Sequence, residues 1–575
     1  MISLFVIQYP ISSFKYSLIA GVPRPLFKLW HLLSTYILTT PFFGLCLQGT
    51  LLILVLLDTN VTLLLRREAA LGHVPESTHD WVTIGTGLVE FGLGALIAWC
   101  GQARKNFALS FWLTAAAAAG LLVLAFPFKD TPDSTVKLCG GEEITSYYKT
   151  IENPEDDLWI PRVAMLCLTA AFCILARLSL FAHGFVYVDD HEPEHGAYHY
   201  GILITIRLSL GLNGVNWLTP SSTRDEWWHS HLSLCMLTIM FAILFTLFPR
   251  RKIQNKGADG EMVSKEFFST LCRVLRNKIV VVQSIAIAFL SAAVFGFVRF
   301  DDDIVEAQFH IETKRQDPRA SRQVTNIFRT LVIVFFVMIF RTRFSGRRSD
   351  GVKATTSARV GGIVAIATAV PLVVISLLGC NIGDIAGSNA EYGLPVCSMQ
   401  CGCSADSYGF SPVCTINTTT TYFSPCLAGC QEVEDLNGFL LFSECSCGGG
   451  RAARGACSLS DCGLVFNIYQ LLFALVLSMA GAALLMQGMV IVRSVLTDDK
   501  AVALGASFAV TALLSHIPGY MLYMLISHLT CAYTANGGCL FHYPSLWSMT
   551  LLSAGFSAVS GALSLLASRL ARSIS

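Results

Sequence analysis

Twelve stretches of mainly apolar residues run through this sequence, at 32–58, 81–101, 108–128, 162–186, 198–218, 231–249, 278–299, 325–342, 357–379, 463–492, 502–528 and 545–569. Each approaches or exceeds the ~20 residues a helix needs to cross a bilayer, where a spanning segment must satisfy its own backbone N–H and C=O groups. A chain with so many spans is constrained to an all-α, polytopic membrane protein. The charged fraction of 14% fits this reading, since soluble domains carry about a quarter. A net charge of +1 without any basic stripe points to no nucleic-acid partner. The segment from Met1 to Phe27 is mildly apolar, holds Lys15 and Arg24, and lacks a cleavage site behind a short apolar core. It reads as an interfacial helix or disordered tail rather than a signal peptide.

Lysine and arginine in short loops orient such a bundle. Residues 250–278 hold eight basic residues, and 341–353 hold Arg341, Arg343, Arg347, Arg348 and Lys353. Both loops belong in the cytoplasm, and an even number of spans then places both termini there. The opposite side carries 129–160, with three lysines against eight acids, and 380–462, with two arginines against eight acids. One loop departs from this pattern: 188–197 is acidic yet falls inside. The basic stretch between the sixth and seventh spans divides the chain into two six-helix halves. This layout is similar to that of major facilitator transporters, whose substrate site lies near the midplane between the halves. The tight turns Gly101-Gln-Ala-Arg104-Lys105 and Gly346-Arg-Arg348-Ser-Asp350 hold corresponding places in the two halves.

The division is therefore a cytoplasmic segment (1–31), a first transmembrane half (32–249), a linker (250–277), spans seven to nine (278–379), a cysteine-rich module (380–462), spans ten to twelve (463–569) and a short tail (570–575). The module holds eleven of the twenty cysteines: Cys380, Cys397, Cys401, Cys403, Cys414, Cys426, Cys430, Cys445, Cys447, Cys457 and Cys462. Dense cysteines among Gly, Ser, Pro and Thr staple a small module that has no sizeable core, and they need an oxidising compartment. That places the module outside, in agreement with the loop charges. No CxxC…CxxC zinc spacing occurs, and no metal or cofactor is implied.

With the module so placed, the chain resembles the organic anion transporting polypeptide family. Cys414…Ser424-Pro-Cys426-Leu-Ala-Gly-Cys430 is similar to that family's Kazal-like extracellular loop. Arg224-Asp-Glu-Trp227-Trp228 with Phe248-Pro-Arg250 resembles its signature region around span six. Tyr187-Val-Asp189-Asp190 resembles its Tyr-Ile-Asp-Asp motif, which accounts for the acidic inner loop. Val492-Arg493-Ser-Val, Ala503-Leu-Gly505, Ile517-Pro518-Gly519, Cys531 and Cys539-Leu-Phe match its run through spans ten and eleven and the last outer loop. Leu47-Gln48-Gly49 and Glu90-Phe-Gly92 extend the likeness forward. There are departures. Ala512 stands where the family has a basic residue in span eleven, and Phe128 where it has a histidine. Spans four and eight read differently around Ala176-Arg177-Leu178 and Phe328-Arg-Thr.

Cys531 is expected to pair with Cys539, which leaves one odd thiol in the module and Cys139 alone in the outer loop between spans three and four. A bridge from Cys139 to the module is the expectation. Cys46, Cys100, Cys167, Cys173, Cys235 and Cys272 sit in spans or inside and are expected to stay reduced. Asn417-Thr-Thr419 is a glycosylation acceptor in the module. Asn60-Val-Thr62 lies too near the membrane for that role.

Charges within spans are the candidate chemistry. Glu90, Arg177, Arg207 and Arg329 sit in spans two, four, five and eight. A charge at the bilayer centre costs about 2.5–3.5 kcal/mol on insertion scales, so it faces a cavity or a partner. Arg177 and Arg207 either draw anions into a cavity, since guanidinium grips carboxylate and sulfate in a fork, or one of them is neutralised by Glu90. Arg329 either joins them or snorkels to the interface. Trp227 and Trp228 form either an interfacial belt or an aromatic wall for an amphipathic substrate. His183 and His516 are either proton-coupled groups or helix-packing histidines. Asp189, Asp190, His191, Glu192, Glu194, His195 and His199 sit in an exposed loop and read as part of the family motif rather than a metal set.

The resemblance implies a sodium-independent secondary transporter of amphipathic organic anions such as steroid conjugates, bile-salt-like molecules, eicosanoids or thyroid hormones. It would work at the plasma membrane by alternating access. The partners would be the small anion, a counter-anion and membrane lipid. No nucleotide-binding Gly-x4-Gly-Lys-Ser/Thr motif occurs, and no nucleophile–base pair marks an enzyme. The alternative reading is a transport-inactive scaffold or receptor of the same fold.

Overall fold

Apolar runs become helices here because the helix satisfies the backbone without water, and the helix ends then fall wherever charged side chains find partners. The computed structural model describes residues 39–70, 74–75, 77–126, 138–139, 159–213, 227–248, 266–309, 331, 334–335, 353–380, 385–386, 395–403, 410–436, 439–457, 462–535, 538–542 and 546–574. The first half contains α1 (Thr40–Ala70), α2 (Thr78–Cys100), α3 (Lys105–Val123), α4 (Trp159–His191), α5 (Gly196–Asn213) and α6 (Trp227–Leu247). After a short helix α7 (Phe267–Arg276) come α8 (Lys278–Arg299), α9 (Asp301–Phe309), α10 (Ala354–Leu377), α11 (Cys462–Arg493), α12 (Thr497–Leu529) and α13 (Trp547–Ile574). Among the described residues ten helices are long and apolar enough to cross a membrane: α1 to α4, α6, α8 and α10 to α13. The chain is a multi-pass membrane protein. Those ten coincide with ten of the twelve expected spans. The fifth, 198–218, is occupied by α5, which is helical but not among the ten. The eighth, 325–342, lies outside the described residues except for Leu331, Val334 and Phe335.

The first span ends later than expected, at Ala70 rather than 58. Its polar residues are paired inside the bundle. Glu68 meets Arg162 of α4 at 3.2 Å with both side chains essentially fully buried, and Asn60 lies 3.1 Å from the ring of His231 on α6. Charges close an apolar window in a sequence, but a helix continues through them when partners are supplied. Asn60 is thus inside a helix and engaged, in keeping with its exclusion as a glycan acceptor. Two long helices contain a π-type turn, α4 at Leu180–Phe185 and α12 at Ala512–Gly519. In α12 the turn includes Pro518, whose missing N–H breaks the regular ladder.

The extramembrane module is a five-stranded antiparallel sheet in the order β2-β1-β5-β4-β3, with β1 (Val413–Thr415), β2 (Thr421–Tyr422), β3 (Glu432–Leu436), β4 (Phe439–Cys445) and β5 (Gly450–Arg454). A separate hairpin, β6 (Cys531–Ala535) and β7 (Gly538–His542), precedes α13. Gly449 and Gly450 turn between β4 and β5 at φ 81° and 105°, a region that side-chain-bearing residues rarely adopt. The sheet's apolar interior is small, built on Val413, Phe423 and Phe442. Disulfides carry the rest: Cys397–Cys447, Cys403–Cys426, Cys414–Cys457 and Cys430–Cys445 within the module, and Cys531–Cys539 in the hairpin. Cys380 is also disulfide-bonded. Asn417 is exposed, and its amide donates to the Gly449 carbonyl at 2.7 Å. The six cysteines expected to be reduced are free thiols.

Cys139, in the loop between α3 and α4, is bonded to Cys401, which is the bridge expected from the odd thiol. Its backbone N–H also donates to the Cys430 carbonyl at 2.7 Å. Non-reducing peptide mapping should therefore recover Cys139 linked to Cys401. Cys139→Ser should leave Cys401 alkylatable and lower thermal stability by about 2–4 kcal/mol, the range for removing one native bridge. Recovery of Cys139 as a free thiol in the folded protein would remove the bridge.

Candidate functional site

The bridge and the module define one face of the bundle: α3 and α10 end there, and α4 and α11 begin there. The opposite ends of those helices, Lys105, His191 and Arg493, mark the other face. Between the two faces, α2 and α5 of the first half meet α8, α11 and α12 of the second around a small cavity. Its wall includes Glu90, Tyr200, Arg207, Phe295, Phe508, Thr511 and His516, with Ile204, Leu208, Ile287, Leu484 and Ile491 supplying apolar surface. The Arg207 guanidinium lies over the Phe295 ring, 4.9 Å from its centroid, a favourable cation–π geometry. Glu90 is buried at 4% exposure, yet among the described residues neither arginine is within ion-pair distance of it. The Thr511 hydroxyl and His516 Nδ1 are buried without a hydrogen-bond partner among the described residues. The open space is about 40 Å³, close to the ~30 Å³ share of one water and far below the ~300 Å³ of a pocket for a drug-sized molecule.

Two clasps hold the halves together above and below this cavity. On the face opposite the module, Asp189 accepts from Arg493 at 2.8 Å and from Lys500 at 2.7 Å. Asp190 accepts from Lys500 at 3.0 Å and from Lys105 at 2.6 Å. Asp189 and Asp190 are 0% and 2% exposed, and Lys500 is 7%. First-half carboxylates are thus neutralised by second-half cations in a site closed to solvent. Beside it, Arg273 of α7 forks onto Asp499 at 2.7 and 2.6 Å, and this bond holds the guanidinium above its usual range. On the module face, Asp80 of α2 accepts from Arg299 of α8 at 3.0 Å and from the Tyr520 hydroxyl of α12 at 2.6 Å.

Between the clasps α2 and α12 cross at small residues. A Cβ added to Gly505 would stand 2.7 Å from the Gly94 carbonyl oxygen, which cannot move without its helix. Small residues allow such close backbone approach in membranes. Gly505→Val should force the helices apart, costing about 1–3 kcal/mol as an overpacked contact. Thermal unfolding of purified protein would register the loss, and an unchanged transition would show that the crossing is not tight.

The structure brings together Glu90 and Arg207 of the expected cavity residues and leaves others elsewhere. Arg177 is not among the residues lining this space and lies 3.8 Å from Asp58 of α1. Trp227 and Trp228 also lie apart, at the module-face end of α6. There Trp228 is 42% exposed and stacks on His229, and Trp227 packs beside Leu166 and Val61. Neither is among the residues lining the cavity. Arg329 lies outside the described residues. His183 is a packing histidine, with Nε2 3.3 Å from the Ile97 carbonyl. Asp58, Lys500, Arg493, Lys105, Asp80 and Arg299 were not anticipated as partners. For Lys500, Arg493 and Lys105 the signal was the acidic pair Asp189-Asp190 on a face otherwise marked by basic residues.

The profile of the Organic Anion Transporter Polypeptide (OATP) family matches residues 216–540, more than half of the chain. The chain belongs to this family. Among OATP relatives, Solute carrier organic anion transporter family member 2B1 of Rattus norvegicus is 26% identical over 431 residues, 61% of each chain. Member 74D of Drosophila melanogaster is 21% identical over 328 residues, 53% of this chain and 39% of its own. The matched part therefore spans less than two thirds of either relative. Among solved structures, a bacterial homolog of the human lysosomal transporter Spinster, inward-facing and unoccupied, aligns with TM-score 0.49 and 11% identity over 92% of this chain and 97% of that one. The proton:xylose symporter XylE aligns at 0.47 and 9%, over 92% and 96%. The assignment to the OATP family rests on the profile and not on these two likenesses.

Proposed function

We propose that this OATP family member is a secondary transporter of amphipathic organic anions. Its two six-helix halves rock in the major facilitator manner, with the module outside the plasma membrane and both termini in the cytoplasm. The observation that carries the reading is Arg207, a guanidinium between the halves with no carboxylate at ion-pair distance among the described residues, set among aromatic and aliphatic side chains. Such a site offers a charge for an anionic group and apolar surface for the body attached to it. The contracted cavity fits a cycle in which the clasps open alternately, since a bulky conjugate enters only when the halves part. The substrate class comprises steroid conjugates, bile-salt-like molecules, eicosanoids and thyroid-hormone-like anions, carried independently of sodium.

Uptake of labelled estrone sulfate and taurocholate into cells expressing the protein, against empty vector, tests the reading. Saturable uptake that survives replacement of sodium is expected. Vector-level uptake of both by protein verified at the surface would favour a scaffold or receptor. The observation that favours this second reading is Ala512, fully buried in the π-type turn of α12 where the family carries a basic residue.

A further inference from the structure

Helix α7 presents three faces. Thr270 and Val274 are buried against the bundle, and Phe267 meets Trp99 of α2 edge-on at 5.6 Å. Phe268, Cys272 and Leu275, spaced by four and three residues, form one exposed stripe, with Phe268 77% and Leu275 47% exposed. Arg276 and Lys278 are exposed beside them. Asn277 alone separates α7 from the membrane-spanning α8: its side chain accepts from the Ile279 N–H at 3.1 Å and donates to the Ser494 carbonyl at 2.8 Å. The turn is therefore fixed where α8 enters the bilayer, on the face opposite the module. An apolar stripe held at that level, with cations flanking it, has the form of a helix lying in the membrane surface.

We propose that α7 lies in the plane of the leaflet opposite the module, with its Phe268–Cys272–Leu275 stripe among the acyl chains and Arg276 and Lys278 on anionic lipid headgroups. Two observations select lipid over a protein partner. The stripe ends two residues before α8, at the level where that span enters the membrane, and the cations beside it, Arg276 and Lys278, complement anionic headgroups. Because α7 touches Trp99 of the first half and Asp499 of the second, the lipid bears on the seam between the halves.

The test uses the full chain in nanodiscs, with Cys100 and Cys167 replaced by serine and an environment-sensitive fluorophore on Cys272. The membranes are phosphatidylcholine alone or phosphatidylcholine with phosphatidylserine. Quenching by lipids spin-labelled on the acyl chain should dominate over quenching by aqueous iodide. Phosphatidylserine should raise it by roughly twofold. Arg276→Gln with Lys278→Gln should abolish the increment while leaving the quenching in phosphatidylcholine. Dominant iodide quenching, protection from both quenchers, or no response to phosphatidylserine would each overturn the proposal. None of these readouts depends on transport.

Discussion

Lys500→Met should abolish most uptake while leaving the protein folded and its module oxidised. Lys500 is the cation shared by Asp189 and Asp190, all three side chains being nearly excluded from solvent. Methionine keeps the stem and removes the charge, so Asp190 retains only Lys105 and Asp189 only Arg493. Removing one partner of a buried ion pair costs about 3–5 kcal/mol. The penalty falls on the state in which the halves are clasped, because parting them lets water reach both aspartates. A bias of ~3 kcal/mol changes the ratio of clasped to open forms by roughly a hundredfold. A cysteine placed at Ser507, in the cavity wall, should then react faster with a hydrophilic thiol reagent applied from the face opposite the module. Lys500→Arg should recover part of the activity. Unchanged uptake and unchanged labelling in Lys500→Met would show that the network packs the helices without controlling access.

Arg207→Ala should weaken uptake of an anionic conjugate by roughly ten- to a hundredfold in apparent affinity, the span of about 1.5–3 kcal/mol assigned to hydrogen bonds with charged groups. Arg207→Lys should fall between, since an ammonium keeps the charge but loses the fork and the stacking on Phe295. The complementary change gives the sign: Glu90→Gln removes the only carboxylate in the cavity wall among the described residues, so an anion should bind more tightly, seen as a lower KM. Concentration-dependent uptake at matched surface expression separates these outcomes. Wild-type affinity in Arg207→Ala would take that residue out of substrate binding.

Ten spans and the disulfide-stapled module were legible because hydropathy and cysteine density are local properties of a sequence. The clasps were not. Lys500 lies in the first turn of α12 within a polar run, Asp498-Asp499-Lys500, that closes an apolar window and reads as loop. Its partners lie more than three hundred residues earlier. Asp58 was hidden in the same way at the edge of the first span, so Glu90 alone was weighed as a partner for Arg177 or Arg207, and the contact of Arg177 with α1 was not. Asp189 and Asp190 were expected in an exposed loop, whereas both lie buried in the last turns of α4; the motif did not name what they bind. Cysteine counting, by contrast, reached the Cys139 bridge because parity is a global constraint. It could not name Cys401, since spacing does not determine connectivity.

The Cys139–Cys401 bond also orders the assembly of the molecule in time. Its two sulfurs are separated by 262 residues, and at ~5–20 residues per second the second emerges tens of seconds after the first. During that interval Cys139 is a reactive thiol with no native partner, while the remaining spans of the first half and the spans ahead of the module are inserted. Closing the bridge thus certifies that the first half and the spans ahead of the module have been threaded, and an oxidoreductase that traps Cys139 as a mixed disulfide would mark chains that have not reached this stage.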